Sequence, residues 1–273
     1  MWHYGYPQNQ QTHLDLDMCY ADPSFGEFEV TLASATRGDA AAQCRLGLMF
    51  FQGNGVAKNH ADAAKWFMAA ALQGHSQAQL NMSLLYQDGL GVCQDDSNAA
   101  YWACKSAEQG HSQAQCNLGL MYRMGVGVEK DPALSMHWLS KSAESGNDKG
   151  QFNLASLYRS GESIDVDYVT SADWYRKAAM QGNVLAQFNL AVLHEFGQGV
   201  KQSYAESAYW YEKSAAQGHA DAQREIGLMH ANGKGVKKDK IKALVWLRKA
   251  EMQGDESAGM ALRLMNEPTY INI

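Results

Sequence analysis

Apolar and small side chains recur along this chain at helical spacing, and residues 111–124 show the pattern in its simplest form. Four such residues fall on one stripe of a helix: Ala114, Leu118, Met121 and Tyr122. A Gly-x-Gly-Val string follows at 125–128, and glycine readily takes the left-handed backbone that ends a helix. The pattern predicts a helix over 111–124, called helix A, and then a glycine turn.

A second helix follows the turn. Asp131 is a good N-cap residue, and Pro132 suits the first helical position because its missing N–H needs no partner there. These signals predict a helix B over 132–144, closed by Gly146. The same cap position carries a capping residue in five other places: Asn59, Asp95, Asp167, Ser203 and Asp239.

The helix pair repeats every 36 residues. Tryptophans recur at this step at Trp66, Trp102, Trp138, Trp174, Trp210 and Trp246. Glutamines recur at Gln43, Gln79, Gln115, Gln151, Gln187 and Gln223, and glycines share the period. A shared period of this kind is the signature of a repeat array, which predicts six repeats that start near 38, 74, 110, 146, 182 and 218.

Partial repeats flank the array. Residues 24–37 and 255–265 match the helix B and helix A registers and are predicted to be capping helices. Residues 1–23 are interpreted as a flexible arm with a small docking segment formed by Leu14, Leu16 and Met18. Residues 266–273 are interpreted as a tail, and Ser163, which replaces a turn glycine, predicts a distorted turn.

Composition limits the partners and the compartment. The net charge of −6 argues against nucleic acid, and no apolar run is long enough to span a bilayer. The start of the sequence has no basic and apolar signal pattern, and the five cysteines are odd in number and irregular in spacing. We therefore expect a protein of the cytoplasm, or one exported by a non-classical route. We also expect a bacterial protein that is a monomer.

The string Ala-Gln-x-x-Leu-Gly-x-Met-Tyr-x-x-Gly-x-Gly-Val, followed by a capping Asp and Ala-x-x-Trp, resembles the Sel1-like repeat, a relative of the tetratricopeptide repeat. The resemblance covers about residues 38–254. It implies an all-α, right-handed superhelical solenoid of antiparallel helix pairs, with helices A lining the concave side. It also implies a non-enzymatic adaptor or scaffold that binds protein.

Helix A positions opposite the packing stripe are the candidate partner-binding residues, because they vary from repeat to repeat. Apolar anchors are expected in the central repeats and polar flanks at the ends. The candidates are Arg45, Leu80, Asn81, Leu84, Cys116, Asn117, Leu120, Met124, Phe152, Asn153, Phe188, Asn189 and Phe196.

The four asparagines of this set, each 36 residues after the last, have two interpretations. A ladder of amides suits a peptide backbone, since each amide both donates and accepts hydrogen bonds. Alternatively, each amide bonds a neighbouring helix and sets the stacking of the repeats. The sequence leaves both interpretations open.

No catalytic, cofactor or metal motif stands out from the repeat background. The tryptophans are predicted to be core, and His75, His111 and His219 recur one per repeat, too far apart to share a metal. The leading hypothesis is therefore an adaptor that holds a partner segment in its groove. The alternatives are an inhibitor or immunity protein that caps a toxin or enzyme and, less favoured, a hydrolase.

Overall fold

The computed structural model describes residues 25–162 and 165–266. Within these ranges the chain forms fourteen α-helices and no β-strand. The all-helical fold class predicted from the sequence is confirmed. The arm at 1–23, the turn position Ser163 and residues 267–273 of the tail lie outside the described residues.

Twelve helices, each of 13 residues, alternate along the chain as A and B helices. The A helices are α2 (Ala40–Gln52), α4 (Ser76–Asp88), α6 (Ser112–Met124), α8 (Asp148–Ser160), α10 (Val184–Phe196) and α12 (Ala220–Asn232). The B helices are α3 (His60–Leu72), α5 (Asp96–Glu108), α7 (Pro132–Glu144), α9 (Tyr168–Met180), α11 (Tyr204–Ala216) and α13 (Lys240–Met252). Helix α1 (Phe25–Thr36) precedes them and α14 (Glu256–Asn266) follows.

Local sequence explains where the helices begin and end. The Asp95 carboxylate accepts a hydrogen bond from the Asn98 backbone N–H at 3.0 Å, and the caps Asn59, Asp167, Ser203 and Asp239 act in the same way. At the other end of α6, Gly125 adopts a left-handed backbone, φ 73°, and its N–H bonds the Met121 carbonyl. These caps and stops were predicted.

The helices fall into two compact units, residues 1–131 and 132–273. In the first unit, each of α1 to α5 packs against the helix that follows it in sequence. In the second, each of α7 to α13 does the same. Small residues allow the close approach: Gly47 of α2 lies directly against the ring of Phe67 of α3, where a Cβ would collide with it.

A glutamine ladder joins neighbouring helices within each unit. The Gln187 amide donates to the Ala179 carbonyl at 3.1 Å, and its oxygen accepts from Gln217 Nε2 at 2.8 Å, so three successive helices are tied together. The same second bond links Gln73 to Gln43, Gln109 to Gln79, Gln181 to Gln151 and Gln253 to Gln223. These periodic glutamines therefore serve the fold, not a ligand.

Candidate functional site

The candidate site is the side of the A helices opposite the packing stripe, here called the A face and defined by the thirteen residues predicted from the sequence. The structure distributes these residues over very different environments. Leu80, Asn81 and Cys116 are buried, with exposures of 3%, 1% and 1%. Met124 and Phe196 are 61% and 65% exposed. Arg45 is exposed, and the other members are half-buried: Leu84, Asn117, Leu120, Phe152, Asn153, Phe188 and Asn189.

Burial corrects the prediction for Leu80, Asn81 and Cys116. A side chain with so little exposed surface cannot contact a partner unless the helices first separate. The Asn81 amide lies 4.0 Å from the Cys44 sulfur of α2 and accepts a hydrogen bond from Gln77 Nε2. Burial also raises the pKa of the Cys44 thiol to about 12.

The other asparagines of the A face also take part in internal hydrogen bonds. Asn153 and Asn189 each donate to a backbone carbonyl four residues earlier, at 2.8 Å. The Asn189 oxygen also accepts from Arg159 Nη1 of α8 at 2.7 Å. Of these three bonds, only the one from Arg159 joins two helices, so it supports the stacking role for Asn189, whereas the bond from Asn153 to Lys149 stays within α8.

Phe152 and Phe188 are half-buried because aromatic rings of the B helices lie beneath them. The Phe152 ring is 5.8 Å from that of Tyr175, and the Phe188 ring is 5.5 Å from that of Tyr211. Phe188 also stacks on His219 at 4.7 Å. Each phenylalanine therefore contributes to the core as well as to the surface, and its replacement would disturb both.

Sequence reasoning missed a polar network at the end of α10. Glu195 accepts hydrogen bonds from the Tyr211 hydroxyl and from Lys234 Nζ, each at 2.9 Å. Lys234 also lies 4.3 Å from the centre of the Tyr204 ring. The hydrogen bond from Lys234 to Glu195 raises the pKa of the lysine. The network joins α10, α11 and the turn after α12 directly beside Phe196.

The repeated histidines are N-caps of A helices. Nδ1 of His75 and of His219 accepts a backbone N–H at 3.2 Å, the role that Asn183 plays for α10. Burial lowers the pKa values of His111 and His219, which keeps each ring neutral and able to accept. The alternation of His, Asn and Asp at this position was the signal that could have revealed the role.

The tryptophans are only partly core, contrary to the prediction. Trp102 is buried, whereas the other five of the series are half-buried. A lysine three residues later lies over several of the rings, with Lys177 Nζ 3.7 Å from the Trp174 centroid and Lys249 Nζ 4.4 Å from that of Trp246. The lysine stem and charge cover the exposed part of the ring.

An open depression of about 650 Å³ lies between α9, α10 and the start of α11. Arg176, His194, Lys201 and Glu206 line it, so it contains charges of both signs. Burial lowers the pKa of His194. Among residues 25–162 and 165–266, no group of three or more His, Cys, Asp or Glu side chains is placed to hold a metal ion, and no helix is long and apolar enough to cross a membrane.

The helix-pair architecture agrees with a comparison against family models. The Sel1 repeat model matches residues 40–75, 76–111, 112–147, 148–183, 184–219 and 220–255. The chain belongs to the Sel1 repeat family. Each matched Sel1 repeat begins at the first residue of an A helix and ends at the residue that directly precedes the next helix in that register. Sel1 repeats generally mediate protein–protein interactions.

Two solved structures with this fold are similar to the chain. One is a protective antigen present in uropathogenic Escherichia coli strains, 39% identical over 86% of this chain, with a TM-score of 0.82. The match spans half of that protein. The other is a Sel1 repeat protein from Oxalobacter formigenes, 27% identical over 84% of this chain and all of that one, with a TM-score of 0.75. None of the curated proteins compared with the chain matches it.

Proposed function

We propose that this protein is a non-enzymatic interaction module that holds a segment of a partner protein on its A face. One observation carries the proposal. At the last position of the A helices, the third and fifth repeats expose the apolar side chains of Met124 and Phe196. The other four repeats have polar residues there: Gln52, Asp88, Ser160 and Asn232. Stacking cannot explain this difference, because these side chains are exposed.

Other accessible residues of the A face have side chains that suit a peptide. On the first unit, half-buried Leu84 and Leu120 provide shallow apolar surface and Asn117 provides an amide; on the second unit, Asn153 provides another. An exposed aromatic or sulfur-containing side chain surrounded by polar groups is typical of the residues that dominate a protein interface. The proposed contact residues are Met124, Phe196, Leu84, Leu120, Asn117 and Asn153. The buried members of the A face are excluded.

The test replaces the exposed apolar residues without touching the core. A Met124→Asp/Phe196→Asp variant should lose capture of the partner from the native source, while its circular dichroism and melting stay unchanged. Leu72 and Met180, 73% and 76% exposed on B helices, supply the matched control, Leu72→Asp/Met180→Asp. Quantitative mass spectrometry of the captured proteins compares the two variants with the original chain.

The outcomes separate the possible roles. Loss of one protein in the first variant and its retention in the control supports the A face. Equal retention in both variants overturns it. Tight one-to-one capture of a single folded protein, with no binding to peptides derived from it, would replace segment binding with the capping role of an inhibitor.

A further inference from the structure

Helix α13, the last B helix, carries an exposed surface unlike that of the rest of this acidic chain. Seven of the 23 Lys and Arg residues lie between positions 234 and 249, with only Asp239 of opposite charge among them. Lys237, Lys238, Lys240, Lys242 and Arg248 are exposed, and within the described part of the chain none of them forms an ion pair.

Apolar side chains run through the middle of this surface. Ile241, Val245 and Met252 are 76%, 48% and 86% exposed. Their spacing of four and seven residues places them on one face of α13. Arg248 lies on the same face, Lys242 and Lys249 lie along one edge, and Glu251 lies along the other. We call this combination of an apolar row and a basic edge the α13 surface. The preceding B helix has Glu206 and Glu212 at the positions of Lys242 and Arg248, so the basic surface is specific to α13.

The chain itself contains a segment of complementary chemistry. Residues 14–22 read Leu-Asp-Leu-Asp-Met-Cys-Tyr-Ala-Asp. The first Lys or Arg of the sequence is Arg37, so residues 14–22 contain no Lys or Arg that would repel the cations of α13. In an extended conformation, Leu14, Leu16 and Met18 would lie on one side and Asp15 and Asp17 on the other.

The apolar row of α13 and the segment from Leu14 to Met18 have similar lengths. Ile241 and Met252, the ends of the apolar row of α13, are eleven helical steps apart, which is about 16 Å at the helical rise of about 1.5 Å per residue. Leu14 to Met18 spans about 13 Å at the strand rise of about 3.3 Å per residue. A segment of this length therefore covers the row once, and its carboxylates can face the basic edge.

We propose that the α13 surface binds residues 14–22 of a second copy of this chain. Asp22 is three residues before Phe25, where α1 begins. The concentration dependence of the association, measured by sedimentation, distinguishes a second copy from the arm of the same chain. The contact is heterologous, joining two different surfaces, so it produces head-to-tail association in place of the monomer expected from the sequence. It is independent of the A face.

Sedimentation of the full chain tests the association. The average mass of the original chain should rise with concentration at low salt and fall as salt screens the charges. Lys242→Glu/Arg248→Glu should weaken association about tenfold or more, since each exposed charge pair contributes up to about 1 kcal/mol and reversal adds repulsion. The matched control Lys201→Glu/Lys213→Glu makes the same change of charge on exposed residues elsewhere in the second unit and should associate as before.

A labelled peptide of residues 11–23 then identifies the occupant. Fluorescence anisotropy should show it binding a full chain that carries Asp15→Lys, Asp17→Lys and Asp22→Lys, whose own arm cannot compete. Binding should be lost in that chain when Lys242→Glu/Arg248→Glu is added, and a peptide with Leu14, Leu16 and Met18 replaced by serine should bind weakly. No binding, or equal binding with the control pair of substitutions, overturns the proposal. Adsorption to phosphatidylserine vesicles without peptide binding would also overturn it and make the surface a membrane contact.

Discussion

Gly199, in the turn of the fifth repeat, offers a quantitative test of how the repeats pack. Its φ is +67°, and a Cβ there would collide with the Tyr168 carbonyl and lie 2.6 Å from the Val169 nitrogen, at the start of α9. The left-handed backbone alone costs an alanine about 1–2 kcal/mol. Displacement of the start of α9 adds about 1–3 kcal/mol, the usual cost of overpacking. Gly199→Ala should therefore destabilise the chain by about 2–5 kcal/mol.

Gly182 provides the control because it also has a positive φ but has no neighbouring atom that a Cβ would meet. Its φ is +96°, and no atom lies within 4 Å of the place that a Cβ would occupy. Gly182→Ala should cost only the backbone term of about 1–2 kcal/mol. Urea unfolding followed by far-ultraviolet circular dichroism measures both variants. If Gly199→Ala is no more destabilising than Gly182→Ala, the close approach of the turn to the preceding B helix is refuted.

Two further predictions concern the polar groups that join the helices. Gln217→Ala removes the hydrogen-bond donor to Gln187 and leaves the Gln187 oxygen buried without that partner. The change should lower the free energy of unfolding, measured in urea, by about 1–3 kcal/mol. The control Gln202→Ala, at an exposed residue, should lower it much less, and equal losses would contradict the ladder. Burial lowers the pKa of His219 below the ordinary 6.5; the charge of Asp221 opposes this shift and that of Arg224 reinforces it. The folded state therefore binds protons less readily than the unfolded one, and stability is lost as pH falls from 6.5 towards the lower pKa of the folded state. Melting temperature should therefore fall between pH 7.5 and pH 5.5, and His219→Asn, which retains a capping side chain, should reduce that fall; an unchanged pH dependence would contradict the neutral-cap role.

The helices could be predicted from the sequence because their ends are set locally. The predicted helix at 111–124 is α6, which starts at Ser112 with His111 as its cap, and the predicted helix at 132–144 is α7. Capping side chains and turn glycines act within a few residues of their own position. A single repeat therefore contains nearly all the information needed to place its helices.

The environment of each A-face residue could not be predicted in the same way. Arg45, Asn81 and Asn117 share one helical position, yet they are exposed, buried and half-buried. A helical wheel describes one helix and ignores the side chains of the neighbouring repeats, which differ from one repeat to the next. The Arg159–Asn189 bond depends on two residues 30 positions apart in sequence, and no periodic pattern predicts it.

Site-specific photo-crosslinking tests the central claim, binding on the A face, most directly. A benzophenone amino acid placed at position 124 or 196 should form a crosslink to the partner when the chain is illuminated with extract from its native source. The same probe at position 72 or 180, on equally exposed B-helix residues, should give none. Crosslinks from positions 72 and 180 without any from 124 and 196 would contradict the account.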